Sequence, residues 1–255
     1  MARDDDRVKS GVALVTGAGR GLGRALARAL ASRGMRVAAV GRDAQSLAET
    51  ANGSDRITPV IADVSDFDSL RHAFEEADAL GPLTLLINNA ALYPRCDIFD
   101  ETPESFMQTT RVNLGGSFAA TRMALDRMAE TGFGRILNVA TFADLHPLPA
   151  SAAYSVSKGA ARILTRALVA DLADRFPDIV ISDWMPGMLA TRMGIPDGLA
   201  PDQSAKWGVE LALWHDPALS GTSFEQAIEI PPPRGLKGRI KDRLLGRRRP
   251  LRRLD

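Results

Sequence analysis

The sequence predicts an α/β fold, in which a doubly wound and predominantly parallel seven-stranded sheet carries helices on both faces. Short apolar segments alternate with longer segments of helical period along most of the 255 residues, a pattern typical of βαβ units. The first apolar segments lack the apolar–polar alternation of a strand with one face in water, which indicates parallel strands covered on both faces. The chain is long enough for one large domain.

The predicted strands are the apolar segments, and the predicted helices lie between them. The strands are 12–16, 36–40, 58–62, 83–88, 135–140, 179–185 and 223–230. The helices are 22–32, 44–51, 66–80, 103–130, 152–175 and 201–215. No internal repeat or mid-chain linker interrupts this alternation, so residues 1–233 are predicted to form one domain. The prolines at 231–233 end it, because proline cannot continue a helix or a central strand, and residues 234–255 follow as a tail.

A glycine-rich turn follows the first strand and leads into an Ala/Leu-rich helix. Glycines at this place allow a tight turn and a close approach of the backbone to a pyrophosphate, whose negative charge the helix N-terminus favours. The pattern indicates a Rossmann-type dinucleotide site, and the alternative is a merely tight connection between strand and helix. The residues of the turn that we assign to the cofactor are Gly17, Arg20, Gly21, Leu22 and Gly23.

The end of the second strand bears on the choice of cofactor. A carboxylate there binds the ribose 2′-hydroxyl of NAD, whereas an arginine accommodates the 2′-phosphate of NADP. The sequence has Gly41 followed by Arg42, which favours NADP(H), with Arg20 as a second candidate and NAD(H) as the less favoured cofactor. Asp43 argues for NAD unless it caps the next helix, and a solvated Arg42 is the alternative without a function.

Several further motifs occur in an order and at separations known from one family. They are Thr16-Gly17-x-x-x-Gly21-x-Gly23, Asp63-Val64, Asn88-Asn89-Ala90-Ala91, Asn113, Tyr154-x-x-x-Lys158, and Pro186-Gly187 with Thr191. Between about residues 12 and 230 the chain resembles the classical short-chain dehydrogenase/reductase family. The resemblance implies hydride transfer between a nicotinamide dinucleotide and a carbonyl or secondary alcohol. It also implies a homodimer or homotetramer formed through the predicted helices 103–130 and 152–175.

Tyr154 and Lys158 are the predicted centre of the chemistry. Four residues apart on a helix, they share one face. A phenol with a pKa near 10 works as an acid or base at neutral pH only when a nearby cation stabilises its phenolate, and Lys158 can supply that cation. The resemblance implies that Tyr154 exchanges the proton with the substrate oxygen, that Lys158 holds the nicotinamide ribose, and that Asn113 supports a water leading to Lys158. The alternative is a surface pair.

The resemblance places a substrate-orienting serine thirteen residues before the tyrosine, where this sequence has Thr141. Threonine keeps a hydroxyl that can hydrogen bond a substrate oxygen, but its branch restricts the side chain. We expect Thr141 to be catalytic, and the alternative is a threonine that only packs. His146 is expected to be an ordinary loop residue.

The resemblance assigns further residues to the cofactor. It implies that Asp63 and Val64 bracket the adenine and that Asn89, with Ala90, supports the ribose region. Thr191, after Pro186 and Gly187, is implied to bind the carboxamide or a phosphate. Two alternatives stay open, since Asp63 could cap the next helix and Thr191 could be a turn residue.

Only about ten residues separate Thr191 from the helix predicted at 201, where the resemblance implies a longer flap. Such flaps exclude water and shape specificity. A short one predicts an open site for a bulky or carrier-tethered substrate, or closure by another segment. The apolar residues expected to line the opening are Met188, Leu189, Met193 and Ile195, and the alternative is that they pack in the ordinary way.

The net charge of +1 hides an acidic body with a basic tail. Residues 234–255 contain ten basic and two acidic residues, a net +8, and the remaining residues carry −7. Ile240, Leu244 and Leu245 recur at helical spacing among these charges, which is typical of a basic amphipathic segment. It predicts contact with an anionic membrane or an acidic carrier protein. Nucleic acid is disfavoured because no aromatic residue interleaves the charges, and the alternative is a solvated end.

The rest of the composition excludes several classes of protein. A single cysteine, Cys96, excludes an intrachain disulfide framework, and no metal-ligand spacing accompanies it. No apolar segment approaches the roughly 18 residues of a membrane span and the first residues do not resemble a signal peptide. We therefore expect a cytoplasmic NADP(H)-dependent oxidoreductase, and the tail adds contact with a membrane surface as a further expectation. The alternative is a dinucleotide-binding regulatory or scaffold protein with weak or no turnover.

Overall fold

The computed structural model describes residues 5–231 and 250–254. The strands are β1 (Val12–Thr16), β2 (Arg36–Gly41), β3 (Ile57–Ile61), β4 (Leu83–Asn88), β5 (Gly134–Val139), β6 (Ile179–Met185), β7 (Ser223–Glu225) and β8 (Ile228–Ile230). The helices are α1 (Asp6–Ser10), α2 (Gly21–Ser32), α3 (Ala44–Ala51), α4 (Phe67–Asp78), α5 (Pro103–Thr110), α6 (Ser117–Thr131), α7 (Ala152–Leu172) and α8 (Pro201–Leu213). The prediction missed the short α1, which Asp5 caps.

All the strands belong to one sheet of order β3-β2-β1-β4-β5-β6-β7-β8, parallel except for the last pair. One apolar core packs α2 and α8 on one face, and a second packs α4 and α6 on the other. The predicted doubly wound, mostly parallel sheet is therefore confirmed. Because the strand order reverses between β1 and β4, their carboxyl ends open a crevice of the kind in which such sheets bind ligands.

The sheet has eight strands instead of the predicted seven. The predicted strand 223–230 is divided by a turn at Gln226, whose φ is +48°, into the antiparallel pair β7 and β8. Apolar residues on both sides of the turn made the segment look continuous. A side chain in left-handed conformation reverses the chain in a way that the apolar pattern does not reveal.

The predicted helix 103–130 is likewise divided. Between α5 and α6 the chain forms a π-helical stretch, Arg111–Gly116. Such insertions occur mostly at functional sites because the extra residue per turn redirects side chains. Here the stretch contains Asn113, whose side chain is fully buried.

A buried arginine ties α8 to the sheet. Arg135 on β5 donates hydrogen bonds to the carbonyl oxygens of Ile136, Val180, Leu211 and Trp214, at 2.8, 3.1, 3.1 and 3.3 Å. The carbonyls of Leu211 and Trp214 lie at the end of α8, where a helix leaves acceptors unpaired. Burial lowers the pKa of the guanidinium to about 9.

The last described residues return to the edge of the sheet. The carbonyl of Arg252 accepts from the amide of Glu229 at 2.9 Å, and the amide of Leu254 donates to Ala227 at 2.8 Å. The Arg252 guanidinium is 3.5 Å from the Glu229 carboxylate, and Leu254 is buried in the core with α2 and α8. Residues 250–254 thus cover strand β8.

Most of the predicted tail, including Ile240, Leu244 and Leu245, lies outside the described residues. Within the described ranges no helix combines the length and the apolar character that crossing a bilayer requires.

The buried end of the chain leads to a stability prediction. Leu254→Ala removes core contacts that cannot fully relax, so we expect the free energy of unfolding to fall by about 2–3 kcal/mol. Urea denaturation followed by circular dichroism measures this. Leu251→Ala is the matched control, because Leu251 is 44% exposed and its truncation is expected to change the free energy by no more than about 0.5 kcal/mol. Equal effects of the two variants would contradict the docking of the C-terminus.

Candidate active site

The glycine turn after β1 fits a bound dinucleotide. Gly17 and Gly21 have φ of +66° and +52°, which side chains rarely adopt. A Cβ at Gly23 would lie 2.2 Å from the carbonyl oxygen of Gly17, so only glycine lets α2 approach the turn. Leu22 is buried beneath the turn, whereas Arg20, directly before α2, is exposed. The cradle and the helix N-terminus present a place for a pyrophosphate.

Asn89 holds this turn against the end of β4. Its side-chain amide donates to the carbonyls of Thr16 and Gly17 at 2.9 and 3.2 Å. The Thr16 hydroxyl in turn accepts from the backbone amides of Asn89 and Ala90 at 3.0 and 3.1 Å. The two strands that open the crevice are therefore joined directly behind the cradle.

Arg42 directly follows β2 at the carboxyl edge of the sheet. Its guanidinium is 3.6 Å from the Asp63 carboxylate, with the two side chains 65% and 35% exposed. Burial alone would raise the pKa of Asp63, but hydrogen bonds from Ser65 and the charge of Arg42 hold it below its usual value. Val64 is buried beside them.

The two carboxylates for which the sequence left a capping role open behave differently. Asp43 caps α3, accepting hydrogen bonds from the amide and the hydroxyl of Ser46. Asp63 does not cap α4, because Asp66 has that role.

The catalytic pair predicted on α7 lies at the carboxyl edge of the sheet. The side chain of Thr141 lies beside the phenol of Tyr154, so the structure brings together the two residues that the sequence placed thirteen apart. Burial raises the pKa of the phenol, and the neighbouring Thr141 hydroxyl lowers it in part. The raised pKa favours the protonated form, which can give a proton to a substrate oxygen.

Lys158 and Asn113 are both buried near Thr141 and Tyr154. The Lys158 ammonium donates to the carbonyl of Val139 at 2.8 Å, and burial lowers its pKa to about 8. The side chain of Asn113 accepts from the amide of Leu92 at 2.7 Å and donates to its carbonyl and to the Ser157 hydroxyl, both at 2.9 Å. Asn113 thereby links the loop after β4 to α7.

The segment between β6 and α8 contains no helix, as expected for a short flap. It turns at Gly187, with φ of +86°, and closes through paired backbone bonds between Ala190 and Leu199 and between Leu199 and Met188, both 2.8 Å. A Cβ on Gly21 would lie 3.3 Å from the methyl group of Thr191, so Thr191 reaches the cradle.

One assignment in this segment was wrong. Leu189 is 8% exposed and packs in the core, so it does not line the opening. Met188 and Met193 are 58% and 39% exposed and flank it, and Ile195 is half-buried. The alternation of inward and outward residues is set by the bridge to Leu199, which the sequence does not reveal.

Sequence reasoning missed Tyr93, which stacks on Tyr154 with ring centroids 4.4 Å apart. The Arg95 guanidinium lies over the Tyr93 ring, 5.7 Å from its centroid, and donates to the carbonyl of Gly194 at 3.1 Å. The signal was available, since Tyr93 lies two residues after the Asn88–Ala91 motif and is one of two tyrosines in the chain.

It also missed Asp183, a carboxylate that is 4% exposed on β6. The signal was a charged residue within the apolar segment 179–185. His146 is an exposed loop residue, as expected. Among residues 5–231 and 250–254 no group of acidic, histidine or cysteine side chains could hold a metal ion.

The chain is similar over most of its length to known oxidoreductases. An NADP-dependent (R)-specific alcohol dehydrogenase of Lentilactobacillus kefiri is 34% identical over 191 residues, covering 73% of this chain and 76% of that protein. Carbonyl reductase (NADPH) 2 of Sus scrofa is 35% identical over 183 residues, or 71% and 73% of the two chains. A 3-oxoacyl-(acyl-carrier protein) reductase of Brucella melitensis, solved with bound NAD, superimposes with a TM-score of 0.75 at 26% identity, covering 85% and 89%.

The family comparison agrees with these similarities and with the arrangement of the site. The model of the short chain dehydrogenase family matches residues 11–199, which include the glycine cradle, the Thr141–Tyr154 pair and Lys158. Since this match spans well over half of the sequence, the chain belongs to the short-chain dehydrogenase family.

Proposed function

We propose that this protein interconverts a carbonyl and a secondary alcohol with NADP(H). The observation that carries the proposal is that Thr141 and Tyr154 lie side by side at the carboxyl edge of the sheet, on the same edge as the glycine cradle. With the pyrophosphate of the dinucleotide bound in that cradle, its nicotinamide would supply or accept the hydride.

The side chains of this chain account for the rest of the reaction. In reduction, the Thr141 hydroxyl orients the carbonyl oxygen and Tyr154 gives it the phenolic proton. In oxidation, the same phenol takes the proton from the alcohol. Lys158, as an ammonium, stabilises the phenolate left on Tyr154 and holds the nicotinamide ribose. Asn113 fixes α7 and the loop after β4 and supports the water that leads to Lys158.

NADP(H) is proposed over NAD(H) because Arg42 and Arg20 supply positive charge at the adenosine end. The Asp63 carboxylate 3.6 Å from Arg42 keeps the guanidinium at the mouth of the crevice, and Asp43 is committed to capping α3. The relatives with NADP or NADPH in their names support the same choice, whereas the relative solved with NAD favours the alternative.

Exposed apolar side chains surround the opening of the site. They favour an apolar substrate that is long enough to extend beyond the opening. Met188 and Met193 flank the opening, and Leu145 and Leu148 beyond Thr141 are 57% and 55% exposed. A bulky or carrier-tethered carbonyl fits this rim better than a small polar sugar.

A homodimer or homotetramer is proposed from the apolar side chains on the outer helices. Met107, Phe118, Val156 and Ile163 on α5, α6 and α7 are 48–60% exposed. Scattered exposed apolar residues are ordinary, but a set on adjacent helices marks an interaction surface. A second copy of the chain would cover them.

The basic segment is proposed to contact an anionic membrane, with an acidic carrier as the alternative. Residues 232–249 carry eight basic residues and one acidic residue, and residue 231 and residues 250–254 are fixed at the sheet edge. The cytoplasm remains the expected location.

Turnover is tested by two substitutions. Tyr154→Phe is expected to lower kcat for ketone reduction by NADPH about 10²–10⁴-fold, because the proton donor is lost, while NADPH fluorescence titration shows unchanged cofactor binding. Thr141→Ala is expected to lower kcat/KM about 10–100-fold, the value of a hydrogen bond to a developing charge. Thr141→Ser keeps the hydroxyl and is the matched control.

The readout is NADPH absorbance across a panel of ketones and 3-oxoacyl thioesters. If NADPH binds and no substrate turns over, the protein is the dinucleotide-binding regulatory or scaffold protein. If Tyr154→Phe keeps full activity, the assignment of the acid is wrong.

Cofactor choice is tested at Arg42. Arg42→Asp removes a charge-assisted bond to the 2′-phosphate and adds a repelling charge, so the ratio of kcat/KM for NADPH to that for NADH is expected to fall about 10–100-fold. Arg56→Asp makes the same charge change at the start of β3, on the opposite edge of the sheet from Arg42. This control is expected to leave the ratio of kcat/KM values unchanged. An unchanged ratio for Arg42→Asp would remove the basis for NADP(H).

Membrane contact is tested without shortening the chain, because a deletion from residue 234 would also remove the buried Leu254. Replacing Arg247, Arg248 and Arg249 by Gln is expected to weaken binding to phosphatidylserine vesicles about 100-fold, at about 1 kcal/mol per charge, and 0.5 M salt abolishes the binding of the unaltered chain. Phosphatidylcholine vesicles are the control. Equal sedimentation of both proteins with both vesicles would contradict the proposal.

A further inference from the structure

A stripe of charged side chains continues the catalytic face of α7. Tyr154, Lys158, Arg162 and Arg166 follow one another at intervals of four residues, so they occupy one side of the helix. Asp183 lies against this stripe from β6, and its side chain is 4% exposed. The mechanism above gives this carboxylate no task, although burying a carboxylate is costly unless it is paired or hydrogen bonded.

Asp183 is the last member of a chain of buried hydrogen bonds. The Thr165 hydroxyl donates to its Oδ1 at 2.7 Å, and the Asn138 amide donates to the Thr165 hydroxyl at 2.9 Å. The Asn88 amide donates to Asn138 and to Thr121, both at 2.9 Å. The chain joins β4, β5 and β6 to α6 and α7 directly beneath the catalytic edge, so the carboxylate fixes the helix that carries Tyr154.

Asp183 also acts on Lys158 through its charge. Burial lowers the pKa of Lys158 to about 8, and the negative charge of Asp183 acts in the opposite direction. The ammonium itself contacts a neutral partner, the carbonyl of Val139, which follows Asn138 on β5. The carboxylate is therefore the charge that helps this buried lysine to remain an ammonium.

The groups around Asp183 are consistent with a carboxylate that is charged at neutral pH. Burial raises its pKa to about 6, and the hydrogen bond from Thr165 and the charges of Arg162 and Arg166 on α7 lower it in part. Arg162 is itself paired with Asp144, from the loop that carries Thr141, at 2.6 Å. From the sheet, β5 contributes the neutral Asn138, and β7 places Ser223 opposite Asp183.

We propose that Asp183 is a positioning residue of this active site, whose negative charge holds Lys158 as an ammonium and whose hydrogen bond from Thr165 fixes α7 on the sheet. The proposal rests on the function proposed above for Lys158. It assigns a task to a carboxylate whose removal from water costs free energy.

The sign of the effect on pH dependence follows from these charges. Above about pH 6 Asp183 is ionised and stabilises the Lys158 ammonium. Without that charge the pKa of Lys158 falls further below its value of about 8. Reduction requires the Lys158 ammonium. Without the Asp183 charge, the alkaline limb of the pH–activity profile would therefore move to lower pH, and the acid limb would stay in place.

The experiment compares Asp183→Asn with the unaltered protein between pH 5 and pH 10. Asparagine has nearly the same shape and still accepts from Thr165, so the variant removes the charge. The alkaline limb of kcat/KM for ketone reduction is expected to move to lower pH by about one unit, within the range that a neighbouring charge produces. The dissociation constant of NADPH, measured by fluorescence, is expected to rise at a correspondingly lower pH.

Two controls separate charge from structure. Thr165→Val removes the hydrogen bond and keeps the carboxylate, so it is expected to lower Tm and kcat without moving the alkaline limb. Glu229→Gln neutralises another buried carboxylate of the sheet, 3% exposed and paired with Arg252, and is expected to leave both pH profiles in place. If Asp183→Asn does not fold, Asp183→Ser takes its place, because serine is a smaller neutral residue that can accept from Thr165. The same shift of the alkaline limb is expected for it.

The outcomes decide the proposal separately from the proposed function. An alkaline limb and an NADPH profile that stay in place in folded Asp183→Asn or Asp183→Ser would overturn it, and so would an equal shift in Thr165→Val. If no carbonyl is reduced while NADPH binds, the proposed function fails. The NADPH binding profile then still decides whether Asp183 controls Lys158.

Discussion

The close approach of the glycine turn to the end of β4 is the constraint on which the site depends. A Cβ at Gly23 would lie 2.2 Å from the carbonyl of Gly17, and the Asn89 amide bonds the same turn from the other side. These contacts join β1, β4 and α2 where the strand order reverses. This junction positions the crevice, the helix N-terminus and the backbone amides of the cradle. Backbone packing therefore sets the shape of the dinucleotide site, and side chains only add contacts to it.

The second requirement is the burial of charge beside that junction. Lys158 and Asp183 are both almost fully buried, and burial shifts their pKa values toward each other, to about 8 and about 6. Removing charges from water is unfavourable unless other charges or hydrogen bonds replace the water. The network from Thr121 to Asp183 supplies those bonds, and the arginines of α7 supply the opposite charge. A helix fixed in this way holds Tyr154 beside Thr141 with little freedom, which the proposed acid catalysis would require.

Elements with a strong local pattern were predicted well. The parallel strands 12–16, 83–88 and 179–185 match the structure because buried strands are apolar throughout. The division of helix 103–130 by a π-helical stretch and of strand 223–230 by a turn was not predicted, since apolar periodicity continues across both breaks. Leu189 was assigned to the opening because an apolar side chain in a loop can face either the substrate or the core, and only the bridge to Leu199 places it in the core.

The sequence by itself determined which chemical groups are present and in which order they occur. The glycine turn, Arg42, Thr141 and the Tyr154–Lys158 spacing are local patterns, and a helix or a strand end positions each of them over a short range. Only the tertiary structure decided which distant groups meet. Tyr93 stacks on Tyr154, the charge of Asp183 acts on Lys158, and Leu254 returns to the core. These interactions join residues far apart in the chain, whose distances are set by the packing of the whole sheet.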